Sequence, residues 1–254
     1  MRPLTYKRLG KLGGLGNQLF EVASTVGVAR KLDRPIDLDP EWSYRPFFSL
    51  PDEWFDDGWT HAEDSPRYFA GPPNRWTPYG QRPENFAHVA DEIRAAFAPS
   101  PRAQAVLDAL PEPGADDVAV HVRRTDYLTM PDHLPVLSVG YYFQAAHTAG
   151  FMRSGGYAFH GYGDDEEWAR LHLDSQLDWQ ATDTTDDDIA EPRDWLDLFR
   201  MARYQNLIIA NSSYSFWSAV LAGPDATVVA PARWFGPAID VPSPALDSWI
   251  QVEA

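Results

Sequence analysis

A chain of 254 residues with 21 Lys and Arg against 37 Asp and Glu carries a formal charge of −16. That balance excludes a non-specific nucleic-acid binder, which displaces counterions from phosphates with a basic surface. Without cysteine there is no disulfide framework, thiolate metal site or cysteine nucleophile, and a cytoplasmic location is expected. No apolar run approaches the ~20 residues that span a bilayer, and MRPLTYKRLGKLGG lacks the apolar core of a signal peptide, so the expectation is a soluble chain with no transmembrane segment.

The length suits two lobes better than one domain, and no solenoid or propeller repeat is present. Leu9 to Gly16 is a glycine-rich turn, and Leu19, Val22, Ala23, Val26 and Ala29 predict a helix from Gln18 to Leu32. Residues 36–39 read as a short strand after the Asp33-Arg34-Pro35 turn. From Pro40 to Pro113 the composition turns to Pro, Trp and Asp, with one helical pattern at Asn85 to Phe97. The turn-rich PEPGADD marks a boundary, giving an N-terminal lobe over 1–113 and a C-terminal lobe over 114–254. Val118 to Val122 is an apolar run suited to a buried parallel strand. A helix at Val139–Ala149, a strand at Tyr157–His160, an acidic turn at Gly163–Asp165 and a helix at Glu166–Leu171 follow. After an acidic loop at 182–188, Asp194 caps a helix whose inner face is Trp195, Leu198, Phe199 and Ala202. A strand at Leu207–Ala210, a polar turn and helix over Asn211–Gly223 and a strand at Thr227–Ala230 close the pattern. Strands alternating with helices predict an α/β fold with a mostly parallel sheet and ligands beyond the strands' carboxyl ends.

Four segments carry chemistry. In HVRRTDY, His121 to Tyr127, two guanidiniums are costly to bury unpaired, and a diphosphate offers acceptors for their planar forks. Arg123 is the leading candidate to stabilise a departing diphosphate. Strand alternation puts His121 and Arg123 on one face and Arg124 on the other, with Asp126 its expected partner. A surface ion-pair cluster is the competing reading. In GGLGNQLF, residues 13–20, the glycines permit close backbone approach before a helix, but a dinucleotide fingerprint would need glycine at Leu19, which disfavours a dehydrogenase. In ANSSYSFWSAVLAG, residues 210–223, Asn211, Ser212, Ser213 and Ser215 suit phosphate oxygens at a helix start, although one serine would serve as a cap. In YAFHGYGDDEEW, residues 157–168, Asp164 or Asp165 could accept both donors of a guanine edge or cap the next helix. Histidine spacing and the lack of cysteine predict no metal site, and the acidic run at 183–188 reads as a solvated loop.

At these four segments, in this order, the chain resembles the α-1,2-fucosyltransferase family (glycosyltransferase family 11), itself similar to the α-1,6- and protein O-fucosyltransferases. Smaller echoes are LSVGYYFQAA at 137–146, the run DWLDLFRMARYQNLIIANSS into the serines, and APARWFG. The likeness covers 10–40 and most of 115–236. It implies a GT-B-like pair of Rossmann-like lobes with a cleft between them, GDP-fucose as donor, a glycan acceptor, no cofactor, no metal, and inversion at the anomeric carbon. It places Arg123 and Arg124 on the diphosphate, His121, Asp164 and Asp165 near guanosine, Ser213 and Ser215 near a phosphate, and Asn17 by the fucose, with Gly16 among the substrate-binding residues. The chain departs from the family at Gly163, where a serine is usual, and at Phe216, where tryptophan is common, and it is shorter than typical members. A general base is not announced; Asp126, Asp132 and His133, on the loop leaving the arginine strand, are the candidates. The rivals are a transferase using another nucleotide sugar and a non-catalytic nucleotide- or glycan-binding relative. Trp42, Trp54, Trp59 and Trp76 could stack on a sugar, with core packing the competing role.

Overall fold

The computed structural model describes residues 1–253 apart from 57, 71–78, 153–155, 175–176 and 181–193, so Trp76 and the acidic run at 182–188 lie outside the described residues. The chain divides into two units. One holds Met1–Leu110 with Asp194 and Trp195; the other holds the remaining described residues from Pro111 onward.

In the first unit, β1 (Leu4–Thr5) leads into the glycine-rich turn and then α1 (Leu15–Lys31). The helix is buried almost throughout, with Leu19, Phe20, Val22, Ala23 and Val26 all fully inaccessible, so its stability comes from packing on all sides. Gly27 lets a neighbouring segment touch the helix backbone, since a Cβ there would sit 2.2 Å from the Asn85 carbonyl. β2 (Glu63–Asp64) pairs with β1 in parallel. The strand expected at 36–39 is a single bridge from Ile36 to Leu4, because Leu38 turns to bond the Trp54 carbonyl instead of continuing the ladder. The helix expected over 85–97 is broken into 3₁₀ turns at Pro83–Asn85 and Ala87–Val89 and a short α2 (Ala90–Ala96). α3 (Pro101–Leu107) was not anticipated, although Ser100 caps it and proline occupies its first position.

The second unit is built on β3 (Asp117–Val122), α4 (Val139–Thr148), β4 (Ala158–Gly163), α5 (Glu166–His172) and β5 (Asp178–Trp179). It continues with α6 (Asp194–Ala202), β6 (Asn206–Ile208), α7 (Ser213–Ala222), β7 (Thr227–Pro231) and β8 (Ile250–Val252). Asp194 is the first helical residue of α6, not its cap as expected, and its carboxylate accepts the Tyr44 hydroxyl at 2.9 Å. The sheet runs β5-β4-β3-β6-β7-β8 with every pairing parallel. From β3 the chain steps outward to β4 and β5, returns to the other side of β3 as β6, and steps outward again. This is the doubly wound Rossmann-like order, and its reversal falls between β3 and β6, where ligands of such sheets bind beyond the carboxyl ends. Val118, Val120 and Val122 of β3 pack with Tyr141, Tyr142 and Ala145 of α4 and with Ile208 and Val229. Phe216 is fully buried edge-on to Trp217, Trp234 and Trp249.

Candidate active site

The reversal point brings together the segment after β3 and the segment after β6. β3 ends at Val122, so alternation stops there and the two arginines take their partners from the neighbouring strand. The register Val122↔Gly163 sets Asp164 and Asp165 beside them. Arg123 Nη1 lies 3.0 Å from Asp164 Oδ2 and Nη2 lies 2.8 Å from Asp126 Oδ1. Arg124 Nε donates to Asp165 Oδ2 at 3.1 Å, and its guanidinium lies 3.9 Å from the centre of the Trp168 ring. The expected Arg124–Asp126 pair is thereby corrected: Asp126 belongs to Arg123.

Asp164 accepts from the Arg124 backbone N–H at 2.9 Å and the Thr125 hydroxyl at 2.7 Å besides Arg123. Asp165 also caps α5 by accepting the Trp168 N–H at 3.1 Å. Two guanidiniums thus face three carboxylates, so each arginine is paired within the protein. Gly163 explains the departure from serine: its φ is +132°, and a Cβ would fall 1.8 Å from the Val122 carbonyl oxygen.

His121 lies 3% exposed below this cluster with its ring tilted on Tyr214, 5.8 Å between centroids. Burial, helped by the Arg123 charge, pushes its imidazole down to about 3, so it is neutral across the physiological range. Its Nδ1 is buried without a hydrogen-bond partner among the described residues. The Tyr142 hydroxyl donates to the His121 carbonyl at 3.3 Å.

Asn211 is 1% exposed and clamps three segments: its Nδ2 donates to Pro135 O and Trp234 O at 3.0 and 3.1 Å, and its own carbonyl accepts the Tyr127 hydroxyl at 3.0 Å. Ser212 caps α7 through the Tyr214 N–H at 3.3 Å, leaving the helix start and Ser213 at the polar turn. Ser215, expected near a phosphate, is instead fully buried, its hydroxyl within reach of the Ala210 and Ser212 carbonyls, because it sits on the inner face of the first helical turn. The backbone of Asp132 and His133 is locked to the closing segment: Gly236 N–H bonds His133 O at 2.8 Å, Ala238 N–H bonds Asp132 O at 2.9 Å, and a Cβ on Gly236 would lie 2.3 Å from Asp132 O.

In the first unit, Gly16 is the second residue of α1, not part of the loop, and Asn17 follows it, accepting from Gln81 Nε2 at 2.7 Å. Gly13 has φ +69°, and a Cβ there would meet Asn17 Nδ2 at 2.7 Å, so that glycine makes room for the Asn17 amide. Gln18 ties the turn from below, donating to Gly13 O at 2.9 Å and accepting the Trp42 indole N–H at 2.7 Å. Trp42 and Trp54 are buried core residues; Trp59 is half-buried with Lys11 5.9 Å from its ring centre.

The model for Glycosyl transferase family 11 matches residues 44–251. The chain belongs to that family. The match takes in 44–112, where the motif comparison finds no likeness, and stops short of GGLGNQLF. A curated relative, the O-antigen biosynthesis glycosyltransferase WbnK of Escherichia coli, is 30% identical over 142 residues, 54% of this chain and 45% of WbnK, so the chain spans under half of that protein. The fold is similar to that of a NodZ α-1,6-fucosyltransferase soaked with GDP-fucose, with TM-score 0.52, 15% identity, and coverage of 87% of this chain and 93% of NodZ. A structure of NodZ from Bradyrhizobium gives TM-score 0.53 at 14% identity over the same shares.

Among the described residues, sequence reasoning missed Trp168, Thr125 and Tyr127, which the structure packs against the arginine–carboxylate cluster and the turn after β6. The first had a visible signal, a tryptophan three residues beyond the acidic pair and so on the first turn of α5. The other two needed the fold. No helix among the described residues is long and apolar enough to cross a membrane.

Proposed function

We propose that this family 11 glycosyltransferase moves L-fucose from GDP-fucose to a glycan hydroxyl with inversion, forming an α-1,2 linkage to a galactoside without metal or cofactor. The observation that carries the reading is the Arg123–Arg124 pair at the carboxyl end of β3, beside the point where the parallel sheet reverses. The GT-B-like pairing of lobes, the donor and the linkage rest on the family resemblance, and WbnK's role in O-antigen biosynthesis supports a glycan acceptor.

Arg123 uses two of its terminal N–H groups on carboxylates and is 34% exposed, so further donors remain for phosphate oxygens. As the glycosidic bond breaks, negative charge grows on the leaving diphosphate, and a fixed guanidinium gains strength toward the transition state. Arg124, stacked on Trp168, is the more rigid of the two, and the start of α7 with Ser212 and Ser213 adds backbone donors. His121, Asp164 and Asp165 border the guanosine side in this reading, and Gly16 and Asn17 the fucose.

Arg123 Nη2 occupies one oxygen of Asp126 at 2.8 Å. A diphosphate that draws Arg123 away frees that carboxylate to take the acceptor's proton, so donor binding arms the base; Asp132 and His133 are the alternatives on the same loop. Calorimetric titration in EDTA with GDP-fucose, GDP-mannose and UDP-galactose tests the proposal. Selective GDP-fucose binding, weakened ~10²-fold or more in Arg123→Ala, is expected. Equal binding of all three sugars points to another donor, and no binding points to a non-catalytic relative.

A further inference from the structure

Asn211 lies three residues beyond the end of β6 and immediately before Ser212, the cap of α7. A side-chain amide has two N–H donors, and Asn211 directs both into the protein, to the Pro135 carbonyl at 3.0 Å and the Trp234 carbonyl at 3.1 Å. No side-chain donor is left for a phosphate oxygen. Its Oδ1 is buried with no hydrogen-bond partner among the described residues, a desolvation cost that a leucine of similar size would not carry. The two donors are thus the physical reason for an amide at this position. What they hold is the loop that leaves the arginine strand. Pro135 lies at its far end, two residues beyond His133, and at its near end the Tyr127 hydroxyl donates to the Asn211 backbone carbonyl at 3.0 Å. Between these points the His133 and Leu134 N–H groups both reach Met130 O, at 3.0 and 2.9 Å, so the turn moves as a unit. The closing segment that carries Trp234 grips the same turn through Gly236 and Ala238, whose N–H groups bond the His133 and Asp132 carbonyls. One residue after β6 therefore ties both ends of the loop after β3 and joins that loop to the segment after β7.

We infer that Asn211 is a positioning residue: its amide pins the far end of the loop carrying Asp126, Asp132 and His133 to the closing segment, so that the candidate bases keep one placement after the arginine strand. This role takes the place of the contact with phosphate oxygens that its position at a helix start suggests. The inference rests on the fucosyltransferase reading for its part in turnover, and on hydrogen bonds alone for the clamp. Loop placement and donor binding are separable here. Replacing the Asn211 side chain removes the bonds to Pro135 and Trp234 but leaves the backbone carbonyl that holds Tyr127, whose ring centre lies 5.5 Å from the Arg123 guanidinium. Gly236 offers a second, independent handle on the same contact, since a Cβ there would lie 2.3 Å from Asp132 O and 2.9 Å from His133 N, backbone atoms that yield only if the loop moves.

The test compares the whole chain with Asn211→Leu, Asn211→Asp and Gly236→Ala. The first removes both donors, the second sets a carboxylate against two carbonyl oxygens, and the third pushes the loop off the closing segment without touching Asn211. Amide exchange over residues 128–137, fucosyl transfer and GDP-fucose affinity are measured under conditions where circular dichroism shows each variant folded. All three variants should speed exchange in the loop about tenfold and lower kcat about tenfold or more, with the Kd for GDP-fucose within twofold. Parent-like loop exchange in Asn211→Leu and Gly236→Ala overturns the inference, and so does faster exchange with kcat unchanged. A Kd raised about tenfold with loop exchange unchanged makes Asn211 a donor ligand and overturns it as well. Should Asn211→Leu fail to fold, the near-isosteric Asn211→Asp and Gly236→Ala decide by the same readouts. A parent chain that transfers no fucose sinks the fucosyltransferase reading, and the exchange comparison still decides the clamp.

Discussion

Replacing Gly163 by the serine that the family resemblance leads one to expect there should damage the protein. Gly163 holds φ +132°, a region that L side chains rarely adopt, at a cost of about 1–3 kcal/mol for a non-glycine residue. A Cβ would also lie 1.8 Å from the Val122 carbonyl oxygen and 2.8 Å from its carbon, and no rotamer relieves a clash with backbone. β3 and β4 must part at their carboxyl ends, which threatens the Asp164 N–H to Val122 O bond at 3.2 Å and the Arg124 N–H to Asp164 bond at 2.9 Å, each contributing about 1 kcal/mol. Together the loss is about 3–5 kcal/mol, a large part of the stability of a typical domain. Urea unfolding of parent and Gly163→Ser at equal slope measures it, with GDP titration alongside to register displaced arginines. A loss below about 1 kcal/mol with unchanged GDP affinity would refute both the close approach of the strands and the claim that it places the arginines' partners.

Trp168→Ala removes the ring under Arg124 and should weaken GDP binding about fivefold with the fold retained, measured by calorimetry. Tyr127→Phe deletes the bond to Asn211 O and should lower stability by about 1 kcal/mol in urea unfolding. Glu21 prefers its neutral form in the folded chain, to about 9 against 4.5 unfolded, so its contribution is full below pH 4.5 and is lost as pH rises toward 9. Glu21→Gln should then be more stable than the parent by roughly 3 kcal/mol at pH 7 and equal to it near pH 4, read from unfolding at both pH values. His121, held down to about 3 against 6.5, acts in the opposite direction, its stability present above pH 6.5 and lost as pH falls toward 3; His121→Phe should flatten that acid limb in the same assay.

What the sequence reveals follows from how local the deciding physics is. The run of valines at 118–122 announces a strand buried on both faces, and α4, α5, α6 and α7 show themselves by spacing and caps, because each signal lies within one element. Two-residue strands such as β1, β2 and β5 hold no period to detect and exist because a neighbour lies alongside. The arginine pairing fails for the same reason: side-chain alternation favours Asp126 for Arg124, but the decisive fact is a register joining Val122 to Gly163, some forty residues away. Glu21 was visible in the letters, a carboxylate between Phe20 and Val22, yet only the fold shows that it is buried with the rest of α1.

The ion-pair network sharpens the functional argument. If the arginines were unpaired, their charge alone would argue for an anion, and the folded chain removes that argument by giving each a carboxylate. What then favours a diphosphate over a surface ornament is placement and rigidity: the pair sits at the reversal of a parallel sheet, Arg124 is stacked on an indole, and Asp164 is held by three donors. Asp126, 48% exposed at the outer end of the network, is the partner that can let go at least cost. In the proposed reading, an exchange at Arg123 of the Asp126 carboxylate for a phosphate leaves Asp164 and Arg124 in place, removes one of three carboxylates from a cluster that holds two guanidiniums, and releases it as a base.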